Sequence, residues 1–163
     1  MPVKRRKRQA LITLISILAL LAIDQYSKTL VFHRLDVGES IPLIKDILHI
    51  TFVTNTGAAF GLFKDSTLAF VVISILAIAV IAILILRSIK KGDLLSRPWL
   101  NYGLILILSG AIGNLIDRLR FSYVIDFIDV RIWPVFNIAD SAITIGTLLL
   151  LLSLTRPSRF LTL

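Results

Sequence analysis

Four stretches of apolar side chains, at about 10–32, 67–86, 99–120 and 137–155, decide what this chain can become. Crossing a hydrocarbon core of about 30 Å takes about 20 helical residues, and each stretch is close to that length. The 163-residue chain is 56% hydrophobic with a mean hydropathy of +0.89, far more apolar than a soluble domain. The sequence therefore predicts an all-α membrane protein, one domain over 1–163, with four transmembrane helices. The first stretch follows a basic segment, as a cleavable signal peptide would. No small-x-small site follows it and "LVF" (Leu30 to Phe32) extends it, so an uncleaved anchor is expected.

The net charge of +8 is distributed as topology. "KRRKR" (Lys4 to Arg8), "RSIKKGDLLSR" (Arg87 to Arg97) and "RPSR" (Arg156 to Arg159) hold 11 of the 18 Lys and Arg but one of the 10 acids. Short basic segments mark the cytoplasmic side. Both termini and the 87–98 loop are expected there, and 33–66 and 121–136 outside. The basic balance thus points to membrane lipid and not to nucleic acid. With no cysteine, disulfides, thiolate metal sites and a cysteine nucleophile are excluded. His33 and His49 stand apart from any ligand cluster, so no metal and no cofactor is expected.

The outer segment 33–66 carries "ESIPLI" and "LHITFV", β-branched runs that predict a short sheet on the membrane surface. "NTGAAFGLF" (Asn55 to Phe63) reads as an amphipathic turn or half-helix. Polar residues gather at the same outer level. Asp24 and Lys28 lie four apart on one helix face; Asn114, Asp117 and Arg118 share another at i, i+3 and i+4. Asp126 sits among apolar neighbours in "VIDFIDV", where Asp129 reads as the surface member. Asn137 and Asp140 open the last apolar stretch.

Each group has an ordinary explanation: an intrahelical pair with a snorkelling lysine, a structural ion pair, a helix cap. Five such places at one level are harder to explain that way, since carboxylates near hydrocarbon are costly. Two close, poorly solvated aspartates share a proton, so one can activate water while the other protonates a carbonyl. The chain offers no H-E-x-x-H, G-x-S-x-G or phosphate-binding loop as an alternative.

The ordered blocks "DQYSK", "NTGAAFG", "GAIGNLIDRLR", "VIDFIDV" and "FNIADSAITIG" resemble the bacterial lipoprotein signal peptidases (type II), the A8 family of aspartic proteases. The resemblance implies four transmembrane helices, an extracytoplasmic β-cradle and a site on the outer face of the bacterial cytoplasmic membrane. It implies cleavage of diacylglyceryl-modified prolipoproteins before the lipidated cysteine; separately from the resemblance, a monomer is expected. The implied catalytic pair is Asp126 and Asp140, with Asp117 the rival for the first role. Asp126 is favoured because Arg118 beside Asp117 would keep that carboxylate ionised. Asn114, Arg118 and Asn137 would orient the pair or hold the peptide, and Asp24, Lys28 and Asn55 would line or stabilise the site.

Only 13 residues separate Asp126 from Asp140, which shortens the outer rim, where Trp133 and Pro134 are expected at headgroup level. Three rival readings can be set against this one. A proton or cation transporter would also keep intramembrane carboxylates, though usually at the midplane and with inverted repeats. A scaffold would not need clustered aspartates. A G-x-G-D protease is excluded, because Gly92-Asp93 lies on the cytoplasmic loop.

Overall fold

A computed structural model describes residues 3–57, 67–92 and 96–155. Residues 58–63 of the expected half-helix, Asp93 and the basic 156–159 lie outside the described residues. The element order is α1 (Val3–Arg34), β1 (Ser40–Ile44), β2 (Leu48–Asn55), α2 (Thr67–Lys91), α3 (Pro98–Phe121), β3 (Val124–Asp129) and α4 (Ile138–Thr155). All four described helices are long and apolar enough to cross a membrane.

Helix α1 begins seven residues before its apolar stretch, because Lys and Arg are good helix formers and simply extend it. Its 32 residues span about 48 Å, so its basic end projects beyond a 30 Å core. Outward-facing Leu14, Leu18, Val72 and Leu76 are exposed on α1 and α2, as suits side chains whose solvent is lipid. Helix α3 is the central element and packs against α1, α2 and α4. Toward α2 it buries Leu104, Ile105 and Leu108 around Ile85.

Between α3 and α4, small residues bring two backbones close together. A Cβ on Gly146 would stand 2.7 Å from the Gly103 carbonyl oxygen, and one on Gly103 equally close to that of Gly146. In lipid no hydrophobic force drives helices together, so this close van der Waals contact is what holds the pair.

The three strands form an antiparallel sheet in the order β1-β2-β3. The first two strands match the sequence expectation; β3, contributed by "VIDFID" from the second outer connection, extends the cradle beyond 33–66. Ser122 closes α3 in the left-handed region, φ 65, and its N–H donates to Arg118 O, turning the chain into β3. Ile125 and Phe127 then pack with Phe52, Val31 and Leu35, fastening the sheet to the end of α1. A bulge between Ile50 and Val53 shifts the β2–β3 register, leaving Val53 opposite Asp126 and Asn55 opposite Val124.

Replacing Gly146 with Val forces α3 and α4 apart. We expect the loss to reach about 1–3 kcal/mol, the usual range for overpacking, read as a lower thermal unfolding midpoint in detergent.

Candidate active site

The site starts from a lysine that the membrane could not tolerate alone. Lys28, on α1, is 1% exposed and spends each of its three ammonium protons. Its Nζ lies 2.9 Å from Asp24 Oδ2, 3.0 Å from Asp117 Oδ2 and donates to Asn114 Oδ1 at 2.9 Å. Asp24 also accepts the Ala139 backbone N–H at 2.9 Å, meeting one of the unpaired amides at the start of α4. Gly113 is what admits it, since a Cβ there would be 2.6 Å from Asp24 Oδ2. Asp117 Oδ1 accepts from Gln25, and Oδ2 accepts the Ile125 N–H at 3.2 Å.

This hub dictates the orientation of two amides. A lysine only donates, so the Asn114 carbonyl must face it and the Asn114 NH2 must point away. That NH2 donates to Asp140 Oδ1 at 2.7 Å. Asn137 Nδ2 donates to Asn114 Oδ1 at 3.1 Å and to Asp126 Oδ1 at 2.7 Å. The other Asp126 oxygen accepts from Asn55 Nδ2 at 2.9 Å. Thus Lys28 is connected to both carboxylates through one pair of asparagines.

Asn137 also caps α4. Its side-chain oxygen accepts the Asp140 N–H at 2.9 Å, while Asp140 Oδ2 accepts the Asn137 N–H at 3.2 Å. This is a reciprocal capping box built from Asn and Asp. The capping explanation for this pair is therefore true, and it leaves Asp140 facing a cavity as well.

That cavity, of ≈ 950 Å³, is lined by Asp126, Asp140, Asn55 and Arg118, with an outer wall of Trp133, Pro134, Val135 and Phe136. Ile143, Thr144 and Ile145 of α4 continue the lining. Asp126 is 1% exposed; burial first, and the Asp140 carboxylate next, push its carboxyl up to about 7, against the pull of the Asn55 and Asn137 amides and Lys28. Burial penalises the charged form, and a like charge adds to the penalty. A carboxyl that keeps its proton near neutrality beside a second carboxylate can carry out paired acid–base chemistry.

All nine expected site residues thus fall in one connected region, but two expectations need correction. Asp117 is neutralised by Lys28, while Arg118 stands 5.1 Å over the Phe70 ring and lines the cavity. Asp129 is buried at 6% exposure, because Thr51 Oγ1 donates to it at 2.8 Å and Arg131 holds it through backbone and guanidinium. Sequence reasoning also missed Gln25, which donates to Asp24, Asp117 and the Gly113 carbonyl. Its one signal was a polar side chain between Asp24 and Lys28 in an apolar helix.

Fold and cavity together define a multi-pass membrane protein with paired carboxylates in a chamber where the sheet meets its helices. Residues 16–156 match the family model described as Signal peptidase (SPase) II, and the chain belongs to that peptidase family. It is 46% identical over 145 residues to the lipoprotein signal peptidase of Halothermothrix orenii, covering 89% of this chain and 96% of that one. With the one from Moorella thermoacetica it shares 47% over 141 residues, covering 86% and 91%. A bacterial membrane enzyme solved in meso at 1.9 Å superposes with a TM-score of 0.76 at 31% identity, covering 89% of this chain and 93% of that chain. These relatives give the transport reading no support.

Replacing Lys28 with Met strands Asp24 and Asp117 as uncompensated buried charges. Breaking such a cluster costs about 3–5 kcal/mol, so this variant is expected to unfold at a clearly lower temperature than Asp140→Asn in the same detergent.

Proposed function

We propose that this protein is an aspartic endopeptidase that removes the signal peptide from diacylglyceryl-modified prolipoproteins, cutting before the lipidated cysteine. The observation that carries this reading is that Asp126 and Asp140, from different elements, line one cavity while Asp117 is tied up by Lys28, Gln25 and a backbone amide. Basic flanks put both termini in the cytoplasm, and the cavity then faces outward, where a lipid-modified cysteine sits at the interface. The apolar wall of Trp133, Pro134, Ile143 and Ile145 suits an extended signal peptide with acyl chains left in the bilayer. The protein works as a monomer.

The division of labour follows from the surroundings of each carboxylate. Asp140 sits in the first turn of α4, where the field of the helix N-terminus favours a negative charge. Asp126, in β3, is the member that keeps the proton. Asp140 takes a proton from a water held between the pair, and the hydroxide attacks the scissile carbonyl carbon. Asp126 gives its proton to the carbonyl oxygen, forming a gem-diol. In collapse, Asp126 recovers the proton from one gem-diol hydroxyl as the C–N bond breaks, and Asp140 protonates the leaving nitrogen. Arg118, at the cavity edge, is placed to hold the backbone of the incoming chain.

Cleavage of a diacylglyceryl prolipoprotein with chelator present tests this directly. Asp126→Asn and Asp140→Asn are each expected to remain folded and lose about 10²–10⁴-fold or more in kcat. Asp117→Asn is expected to lose stability first and to retain measurable cleavage. Activity that survives in Asp126→Asn but vanishes in folded Asp117→Asn would transfer the role to Asp117.

The pH dependence has a definite sign. The dyad needs one proton, and burial lets Asp126 hold it up to about 7. The value of kcat/KM is therefore expected to be sustained below neutrality and to fall as pH rises through that region. A rate that climbs steadily through the same range would contradict proton donation by Asp126.

A further inference from the structure

Arg118 reaches the cavity with its hydrogen-bonding capacity unspent. The side chain is half-buried on α3 and lines the chamber that holds Asp126 and Asp140. A guanidinium carries only donors, yet this one makes no hydrogen bond and no ion pair among the described residues. Three carboxylates act on it electrostatically: Asp140 on α4, Asp126 on β3 and Asp117 on its own helix. A two-pronged contact with a carboxylate is the strong arrangement open to an arginine. Here that contact is not made.

What the guanidinium has instead is a ring. Its Cζ stands 5.1 Å from the centre of the Phe70 ring, inside the roughly 6 Å at which the negative face of an aromatic ring attracts a cation. Phe70 is half-buried near the start of α2. Thr67 Oγ1, at the first position of that helix, donates to the Ser122 carbonyl at 2.9 Å. Ser122 is the left-handed cap of α3, and its own N–H returns to Arg118 O. About one helical turn along α2 and one turn back along α3 from this tie, Phe70 and Arg118 come level.

The arrangement resolves a conflict inside the cavity. The paired carboxylates need free oxygens for water and a proton, and an arginine clamped onto either would occupy them. An arginine held by nothing would fall onto them. A ring attracts the cation through its face and leaves the N–H edge of the guanidinium open. The acceptor that edge lacks is then supplied by whatever enters the cavity, and a peptide backbone offers a carbonyl at every residue.

We propose that Phe70 is a positioning residue: its ring keeps the Arg118 guanidinium off Asp126 and Asp140 and holds its donors open for a backbone carbonyl of the incoming chain. The receiving of a chain rests on the proteolytic reading; the hold on Arg118 does not. Phe70 is not among the described residues that line the cavity, so it acts through Arg118 and not by touching substrate.

The first test needs no cleavage. Protons above the face of a ring resonate upfield, so in protein carrying isotope-labelled arginine the Arg118 Hδ and Hε signals are expected to be displaced. Arg118→Lys assigns them. The displacement should persist in Phe70→Tyr and vanish in Phe70→Leu. Arg118 signals at ordinary positions in the wild type, or unmoved by Phe70→Leu, overturn the proposal.

Binding separates positioning from packing. The probe is a diacylglyceryl peptide whose scissile N–H is replaced by a methylene, which keeps the carbonyl and cannot be cut. Phe70 is replaced by mono-, di- and trifluorinated phenylalanines, which retain the ring's shape while draining its negative face, so the fold is preserved. The Kd is expected to rise stepwise, by about two- to tenfold at the end of the series, as the fraction of molecules with an available Arg118 falls. In Arg118→Gln the same series should be flat. A flat series with Arg118 present, or an equal rise in Arg118→Gln, overturns the proposal. On a cleavable peptide the change is expected in KM with kcat nearly constant; a loss confined to kcat overturns it. A wild type with displaced Arg118 signals that neither binds nor cuts the lipidated peptide contradicts the proteolytic reading, while the hold of Phe70 on Arg118 stands.

Discussion

A buried ammonium organises this molecule. Lys28 lies inside a bundle whose outer faces meet lipid, and it is tolerated there because all three of its protons have acceptors on α1 and α3. The same three contacts tie α1 to α3, and through the Asp24–Ala139 amide bond to the first turn of α4. Its chemical consequence is orientation: a donor-only group facing Asn114 turns that amide's NH2 toward Asp140. Asn137, joined to Asn114, presents its own NH2 to Asp126. Charge neutrality in the bundle and the geometry of the paired carboxylates are thus one constraint.

The membrane explains why so much is asked of so few polar groups. A peptide group in hydrocarbon must be satisfied internally, so irregular backbone belongs only where protein or water covers it. Here the three-stranded sheet, the turn at Arg131 and the start of α4 are stacked at one end. The helices below supply close packing through Gly103 and Gly146. Asp140 serves both halves, since it completes the cap of a spanning helix and faces the cavity.

Much of this was legible in the sequence because the controlling signals are local. Apolar runs gave the helices, a spacing of four gave Asp24 with Lys28, and Asn137 three before Asp140 gave the cap. What escaped depends on partners distant along the chain. Strand β3 is built on "VIDFID", whose two carboxylates disguise a strand that is buried almost throughout. The choice of Lys28 over Arg118 as the partner of Asp117 depends on how α1 leans against α3, which no motif records. Likewise Asp129 reads as a surface residue until Thr51, 78 positions away, is brought to it, and His49 meets Arg131 across 82.

The central claim is that one carboxyl proton resides at Asp126 near neutrality while Asp117 serves as a partner of Lys28. Infrared difference spectroscopy of the carboxyl C=O stretch, titrated in the detergent-solubilised protein, measures this most directly. A protonated-carboxyl band should be present below neutrality, bleach with a midpoint near 7, and be absent in Asp126→Asn but retained in Asp117→Asn. A band that survives in Asp126→Asn and disappears in Asp117→Asn would contradict the claim and place the proton on the other side of the asparagine pair.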